Sequence, residues 1–550
     1  SPGANGVMAL GKILTGEVNP SGHTVDLVYT NYKNDPTWQN FGGNFDDDNY
    51  REGSSDDATS YHFVEYEENI FMGYRYYETR YAEMAKVSQT NADNWYNTNV
   101  VYPFGFGLSY TTFSASIVNK TSLESSSFTA LGNEAARTFS VEVDVTNTGN
   151  VAGKQVVQVY VEAPFDSSSS NQIEKSAKVL VGFAKTPMIE KGKTERVKID
   201  IDPYYFASYD NTDANGDGFK GYTLDSGNYV FHVATDSHTD IDTFTKNLGT
   251  TENIQNDPTT GTKVENLFDD VTNGMKSNLS RKDFEGTFPT IATLEDKRAS
   301  DALIEQLMSY ESGNTRTDYT LPTMGAELTV TFRELVDKDY TDELWDTFLD
   351  QLTFTEMLDI FNKGCYSTTA IIREVDGEDV VLIPGTTSCD GPTGLVSFLG
   401  NVLPGTKPAV YQTCYYCSEC LVAQTYNLEL AKKEAEAIGD EALIGNERGD
   451  KLSYPGWYAP GVNLHRSPFS GRNTEYYSED PFLCGRFGAT VIKGVQSKGV
   501  YANVKHFALN DQETNRQQCV NTWCPEQAIR EIYLKAFQIP IEEGPLTGVM

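Results

Sequence analysis

No cysteine occurs before Cys365, and basic side chains are scarce throughout. Lys and Arg number 43 against 78 Asp and Glu, which sets the formal net charge at −35 and the pI near 4.5. A field of that sign repels nucleic acid and acidic membrane surfaces. The sequence also lacks any run of 18 or more apolar residues, so it holds no segment that reads as a membrane span. No secretory signal pattern is visible, and the chain opens on Ser1 in the middle of what reads as an element. The expectation is a processed N-terminus or a piece of something longer. A neutral substrate is the easiest to reconcile with the charge.

What is present is an ordinary globular composition, 39% hydrophobic and 22% charged over 550 residues. That length suits roughly three to four domains. The eight cysteines are Cys365, Cys389, Cys414, Cys417, Cys420, Cys484, Cys519 and Cys524. Three of them form "CYYCSEC", whose spacing admits an iron–sulfur or zinc site. No fourth ligand is evident, so free thiols at a loop-to-helix junction are the expectation, with no metal and no cofactor. Free thiols point to a reducing compartment, hence a cytoplasmic protein.

Four stretches organise the chain. Residues 1–95 hold a helix-like segment ("NGVMALGKILTG"), a turn ("NPSG") and a Tyr-rich stretch ("ENIFMGYRYYETRYAEM"), too little for a complete α/β domain. Residues 96–247 alternate with period two, as in "RTFSVEVDVTNTG", "KQVVQVYVEAP" and "GNYVFHVATD". Short strands at regular spacing with Gly/Asn turns predict a β-sandwich. Within it, "DANGDG" from Asp213 begins like a calcium loop, but Leu224 stands where a bidentate Glu is expected; a hairpin loop is the better reading. Residues 248–337 are polar and read as a connection. From 338 to 550 helices and strands alternate, with strands at "VVLIPG", "WYAPGVNLH", "VYANVKHF" and "TGVM". That order predicts a parallel sheet, and so many units in series suit a (β/α) barrel.

In such a barrel, chemistry sits at the C-terminal ends of the strands. Three strand-end loops are dense in polar groups: "TTSCDGPTGLV" with Asp390, "GVNLHRSPFSGRNTEYYSEDP" with Arg466, Arg472, Asn473, Glu475, Glu479 and Asp480, and "VKHFALNDQETNR" with Lys505, His506, Asn510, Asp511, Glu513 and Arg516. Carboxylates accept hydrogen bonds from hydroxyls, and Arg and Lys donate them. The mixed set suits a neutral polyhydroxylated ligand, a sugar. Bland roles stay open beside this one. Asp390 could simply form the Asp-Gly-Pro turn, Glu479 and Asp480 could cap the helix that follows, Arg466 could be a structural ion-pair partner, and His506 could be a core histidine.

Four segments together resemble glycoside hydrolase family 3 of the β-glucosidase type: "SCDGPTGL", "APGVNLHRSPFSGRNTEYYSEDPFLCG", "VKHFALNDQETNR" and "YPFGFGLSYTTF". The resemblance implies the tail of an α/β sandwich, a fibronectin type III-like β-sandwich, and then the first part of a (β/α)8 TIM-like barrel. That is the inverted-order branch of the family, which "NLSRKDFEGTFPT" also fits. It implies retaining hydrolysis of β-glucosyl or β-xylosyl groups by two carboxyl groups about 5 Å apart. Both catalytic carboxylates are expected outside this segment, so neither is assigned. Asp390, Arg472, Lys505 and His506 resemble the set that grips the −1 sugar. Arg466 ranks below Arg472, because "RSPFSGR" departs from the commoner "RDPRWGR" by placing Ser467 and Phe469 before the retained Arg472. The continuation after "KHF" lacks the pattern of the N-acetylglucosaminidase branch, which favours glucose or xylose.

The expected partners are β-glucosides or short β-linked oligosaccharides, with no nucleic acid and no membrane; a homo-oligomer is left open. A non-catalytic carbohydrate-binding protein on the same scaffold is the alternative. An adhesion protein built around the fibronectin-like unit gives no reason for the Arg472, Lys505 and His506 constellation. Neighbouring strand residues point to opposite faces, so Lys505 and His506 can reach one sugar only if the backbone breaks its alternation. The resemblance implies an irregular, cis peptide at that step.

Overall fold

The structure, a computed structural model, describes residues 2–550 except 42–50, 55–59, 266–274, 276–277, 291–299, 309–319, 364–366, 369, 396–412, 448–453, 519 and 545. Cys365 and Cys519 therefore lie outside the described residues.

Alternating apolar residues build the β-sandwich. Val141, Val143 and Val145 of strand Phe139–Asn147 point inward, and Phe113–Ile117 and Thr194–Ile201 flank that strand in one sheet. Facing it is a four-stranded sheet in the order Asp240–Leu248, Gly227–Ala234, Val156–Glu162, Val179–Lys185. Strand Val156–Glu162 is buried on both faces. Val157, Val159 and Val161 enter the sandwich core, while Val156 and Tyr160 enter a second core on the other side. The "DANGDG" segment joins Ser208–Asp210 to Gly221–Leu224, which pair antiparallel as a hairpin.

The second core unites what the sequence separates. Tyr66, Phe71, Tyr74 and Tyr77 from the N-terminal part pack in one cluster with Trp457, Phe487, Val504 and Phe537. The structure departs from the sequence expectations at three places. Val100–Tyr102 pairs with Val28–Tyr29, so the sandwich begins near Phe113 rather than at 96, and its last strand is Glu252–Ile254. The 248–337 stretch is more than a connection: Leu279 and Phe284 are buried in the large core, and Arg281 pairs with Glu83 at 2.6 Å. Composition hid these anchors because they are isolated among polar residues. Third, "VVLIPG" is not a strand of the parallel sheet. Glu378–Ile383 pairs antiparallel with Ile371–Val375 across Asp376 and Gly377, both at positive φ. That Asp-Gly pair is a strong hairpin signal. The hairpin shares a separate small core with Val330, Leu335, Phe348 and Leu352.

The parallel sheet begins later, with β1 (Thr386–Asp390), β2 (Gly456–Tyr458), β3 (Tyr501–Val504) and β4 (Gly548–Val549), hydrogen-bonded in that order. Between them run α1 (Leu428–Glu447), α2 (Pro481–Gln496) and α3 (Lys535–Glu543). Helix α2 starts where Asp480 accepts the Leu483 amide at 2.8 Å and Pro481 fills the first turn, a standard entry. Its glycines let the neighbours approach. A Cβ at Gly494 would lie 2.7 Å from Ala435 Cβ and 2.8 Å from the Lys432 carbonyl oxygen of α1, and one at Gly485 would lie 2.8 Å from Ile539 of α3.

Gly494→Ala gains about 1 kcal/mol of helix propensity, yet it forces α1 and α2 apart, and overpacking costs about 1–3 kcal/mol. The expected outcome is a net loss of stability of up to about 2 kcal/mol in a denaturant melt. A melt midpoint at or above that of the native protein would contradict this packing.

Candidate active site

The C-terminal ends of β1, β2 and β3 lie side by side, and their loops bring four of the five sequence-predicted residues together. Asp390 is the last residue of β1. Its Oδ1 accepts the Gly391 amide at 2.8 Å and the Lys505 ammonium at 2.6 Å. Lys505 follows β3 and is 1% exposed. An ammonium so far from water requires a carboxylate, and a second one, Glu475, stands 3.7 Å away. Glu475 also accepts from Arg472 Nε, so one carboxylate spans both cations.

Arg472 carries the cluster on to the histidine. Its Nη2 lies 3.0 Å from His506 Nε2, and its Nη1 lies 3.2 Å from Glu513. Because a guanidinium can only donate, Nε2 must be the acceptor. Nδ1 then carries the proton and donates to the Tyr476 hydroxyl at 3.2 Å. Burial, with Arg472 and Lys505 adding to it, pushes the His506 pKa down to about 3. The imidazole is neutral.

Lys505 and His506 reach the same cluster through a cis peptide bond between them; Phe507–Ala508 is also cis. Asn463 clasps this bend, accepting the His506 amide at 2.6 Å and donating to the His506 carbonyl at 3.0 Å. On the β2 side, Val462 donates to the Lys505 carbonyl and Lys505 donates to the Pro460 carbonyl. From the β4 side, Phe507 donates its amide to the Met550 carbonyl at 2.8 Å, so the backbone is held from both sides.

Arg466 is the exception. The structure does not bring it to the cluster. Its Nε and Nη2 form a bidentate pair with Glu68 at 2.7 and 3.0 Å, Nη2 also reaches Asn40 at 2.7 Å, and the guanidinium lies 3.8 Å from the Tyr66 ring centre. Glu68 is fully buried and needs that partner, so the ion-pair role prevails here.

Two carboxylates of the site went unselected in the sequence. Glu475 was visible in the loop, and its three-residue spacing from Arg472 in a turn was the signal for an ion pair. Glu419 sits inside "CYYCSEC", where attention falls on the thiols. It is buried, and both its oxygens lie 3.1 Å from the Gly461 amide. Burial, with the Glu475 and Asp390 carboxylates nearby, raises its pKa well above the usual range.

The three cysteines of that motif do not assemble a metal centre among the described residues. Among the described residues, the one His/Cys/carboxylate group close enough to share an ion is Asp26, Cys420 and His465. There, His465 Nδ1 already lies 2.6 Å from Asp26, and its Nε2 lies 3.0 Å from the Tyr476 carbonyl.

Comparison with known proteins agrees with this architecture. Residues 383–550 match the glycosyl hydrolase family 3 N terminal domain, and residues 155–237 match the fibronectin type III-like domain. Beta-glucosidase A of Butyrivibrio fibrisolvens is 31% identical over 98% of this chain and 59% of its own. A beta-glucosidase of Ruminococcus albus is 29% identical over 100% of this chain and 49% of its own. The crystal structure of a beta-glucosidase from Paenibacillus barengoltzii superposes with a TM-score of 0.70 at 26% identity, covering 99% of this chain and 51% of that one. The chain thus spans about half the length of the curated relatives it matches. It is similar over its whole length to beta-glucosidases, and over residues 383–550 to the glycosyl hydrolase family 3 N terminal domain.

Proposed function

We propose that the protein takes part in the hydrolysis of terminal non-reducing β-D-glucosyl residues, and that this chain supplies the groups that grip the sugar before the scissile bond. The observation that carries the reading is the Lys505–Asp390 contact of 2.6 Å at the end of the parallel sheet, with Arg472 and His506 beside it. A charged donor, charged acceptors and a neutral imidazole offer both halves of a hydrogen bond to adjacent ring hydroxyls. We read the parallel βα series as part of a (β/α)8 barrel, whose chemistry gathers at this face.

A retaining mechanism places two carboxyl groups about 5 Å apart, one to attack the anomeric carbon and one to move the proton. Asp390 and Glu475 do not suit those roles. Each is committed to the buried Lys505, and such neutralisation weakens a nucleophile. They bind and orient the sugar, and their grip counts toward rate where it tightens as the ring distorts. The assay that tests this uses the full-length protein with aryl β-glucoside and aryl β-xyloside. Faster turnover of the xyloside would move the substrate class, and turnover of neither would leave a carbohydrate-binding protein.

Asp390→Ala in the full-length protein is expected to lose about 3–6 kcal/mol of transition-state binding if two charged hydrogen bonds of about 1.5–3 kcal/mol each are removed. That is a fall of roughly two to four orders of magnitude in kcat/KM. A value within a few-fold of the native enzyme would make Asp390 a turn residue only.

A second expectation concerns pH. The His506 pKa is held at about 3, below the ~6.5 of a free imidazole. As pH falls, the unfolded chain therefore takes up this proton first. The stability tied to the neutral ring is full above ~6.5 and is lost progressively as pH falls toward 3. The His506 ring ¹⁵N resonances should stay fixed from pH 8 to pH 5, and His506→Gln should soften the acid slope of the melting temperature. A ring titration near pH 6–7 would rule out the Arg472–His506 hydrogen bond.

A further inference from the structure

Beside the Asp390 cluster lies a cavity of about 440 Å³, within the ~300–1,000 Å³ of small-molecule sites. It opens between residues 26–35 and the loop 465–479, and none of Asp390, Arg472, Lys505 or His506 lines it. One wall is aromatic. Tyr29, Tyr32 and Phe469 face the space. Tyr32 and Phe469 meet edge to face at 5.0 Å, with Trp38 behind them at 4.7 and 5.4 Å. Both front rings are exposed, 42% for Tyr32 and 43% for Phe469. Phe469 is the residue that replaces arginine in the "RSPFSGR" variant of the loop motif.

The other wall is polar and pre-organised. Asp35 is buried, and its Oδ1 holds the Thr37 amide at 2.9 Å and the Thr37 hydroxyl at 2.6 Å. Glu479 accepts the Tyr74 amide at 2.8 Å. Asp26 holds His465 at 2.6 Å. Arg466, 2% exposed, spends Nε and Nη2 on Glu68 and Asn40, and its buried Nη1 has no hydrogen-bond partner among the described residues. A buried donor left open is costly and marks a place for an acceptor.

We infer that this cavity is a second sugar site, separate from the Asp390 cluster, which takes a neutral monosaccharide or the end unit of an oligosaccharide. Tyr32 and Phe469 cover the apolar face of the pyranose, while Asp35, Glu479 and Arg466 meet its hydroxyls. A hydroxyl both donates and accepts, so it pairs with carboxylates and a guanidinium at once. Strongly charged ligands find little to hold them, because Asp26 is answered by His465 and Glu68 by Arg466. The inference stands on the cavity's own groups and rests on the proposed function only for the choice of glucose as probe.

Calorimetric titration of D-glucose into four full-length proteins tests it: native, Asp390→Ala, Phe469→Ala and the double variant. The Asp390→Ala protein should keep a saturable glucose site whose affinity falls at least tenfold when Phe469→Ala is added. Phe469→Ala alone should keep the Asp390-dependent site. Tyr32→Ala, at the other exposed ring, should repeat the Phe469→Ala effect and guards against a misfolded variant. A silent titration of Asp390→Ala, or one that Phe469→Ala and Tyr32→Ala leave unchanged, overturns the second site. Loss of the Asp390-dependent binding from Phe469→Ala, with the remainder intact, overturns it too, because Phe469 would then serve the Asp390 site; a native protein whose whole glucose binding depends on Phe469 and none of it on Asp390 would count against the proposed function instead.

Discussion

An ammonium group buried to 1% exposure cannot stand alone, and much of the candidate site follows from that one demand at Lys505. Its charge draws Asp390 from the first parallel strand and Glu475 from the loop after the second. Glu475 in turn fixes Arg472, and Arg472 fixes the tautomer of His506. Three strand ends are registered against each other by electrostatics as well as by the sheet. The desolvation cost of each ion is several kcal/mol, so the cluster is a chain of obligations in which no member is optional.

The same rule operates where the N-terminal segment meets the βα part. Glu68 and Arg466 pair with no exposure on either side chain, and Arg75 lies 3.5 Å from the buried Asp480, which also caps α2. Apolar packing would join these segments without choosing an orientation. Buried ion pairs choose one, because a slipped arrangement leaves a charge unanswered. The loop 465–480 is therefore held from one side by the N-terminal segment and from the other by the Lys505 cluster.

Periodicity made the sandwich legible, since Val141, Val143 and Val145 alternate with polar residues as a half-buried strand must. The βα alternation and the strand-end loops were legible too, and they named Asp390, Arg472, Lys505 and His506. The misses have physical reasons. "VVLIPG" reads as a buried strand whether its partner is parallel or antiparallel, and only the Asp376-Gly377 turn decides. Leu279 and Phe284 are single anchors in a polar stretch and leave no period to detect. Glu419 was masked by the thiols around it. Glu475, three residues on, marks the partner of Arg472, but no local pattern states that Arg466 goes to Glu68, far back in the chain.

The strand Val156–Glu162 is buried on both faces, one to each core. Tyr160 stands against Tyr74 with ring centres 5.8 Å apart, and Gln158 donates to the Gly105 carbonyl at 3.0 Å. A fibronectin-type unit in a string of domains keeps a solvated outer surface and can be moved from protein to protein as a cassette. Here the outer surface has become interior. Excision would bare Val156, Tyr160 and Leu180 to water, and a graft would bring along an apolar face with nothing to cover it. The unit has traded portability for a place in the wall, and its sequence is answerable to two neighbours at once.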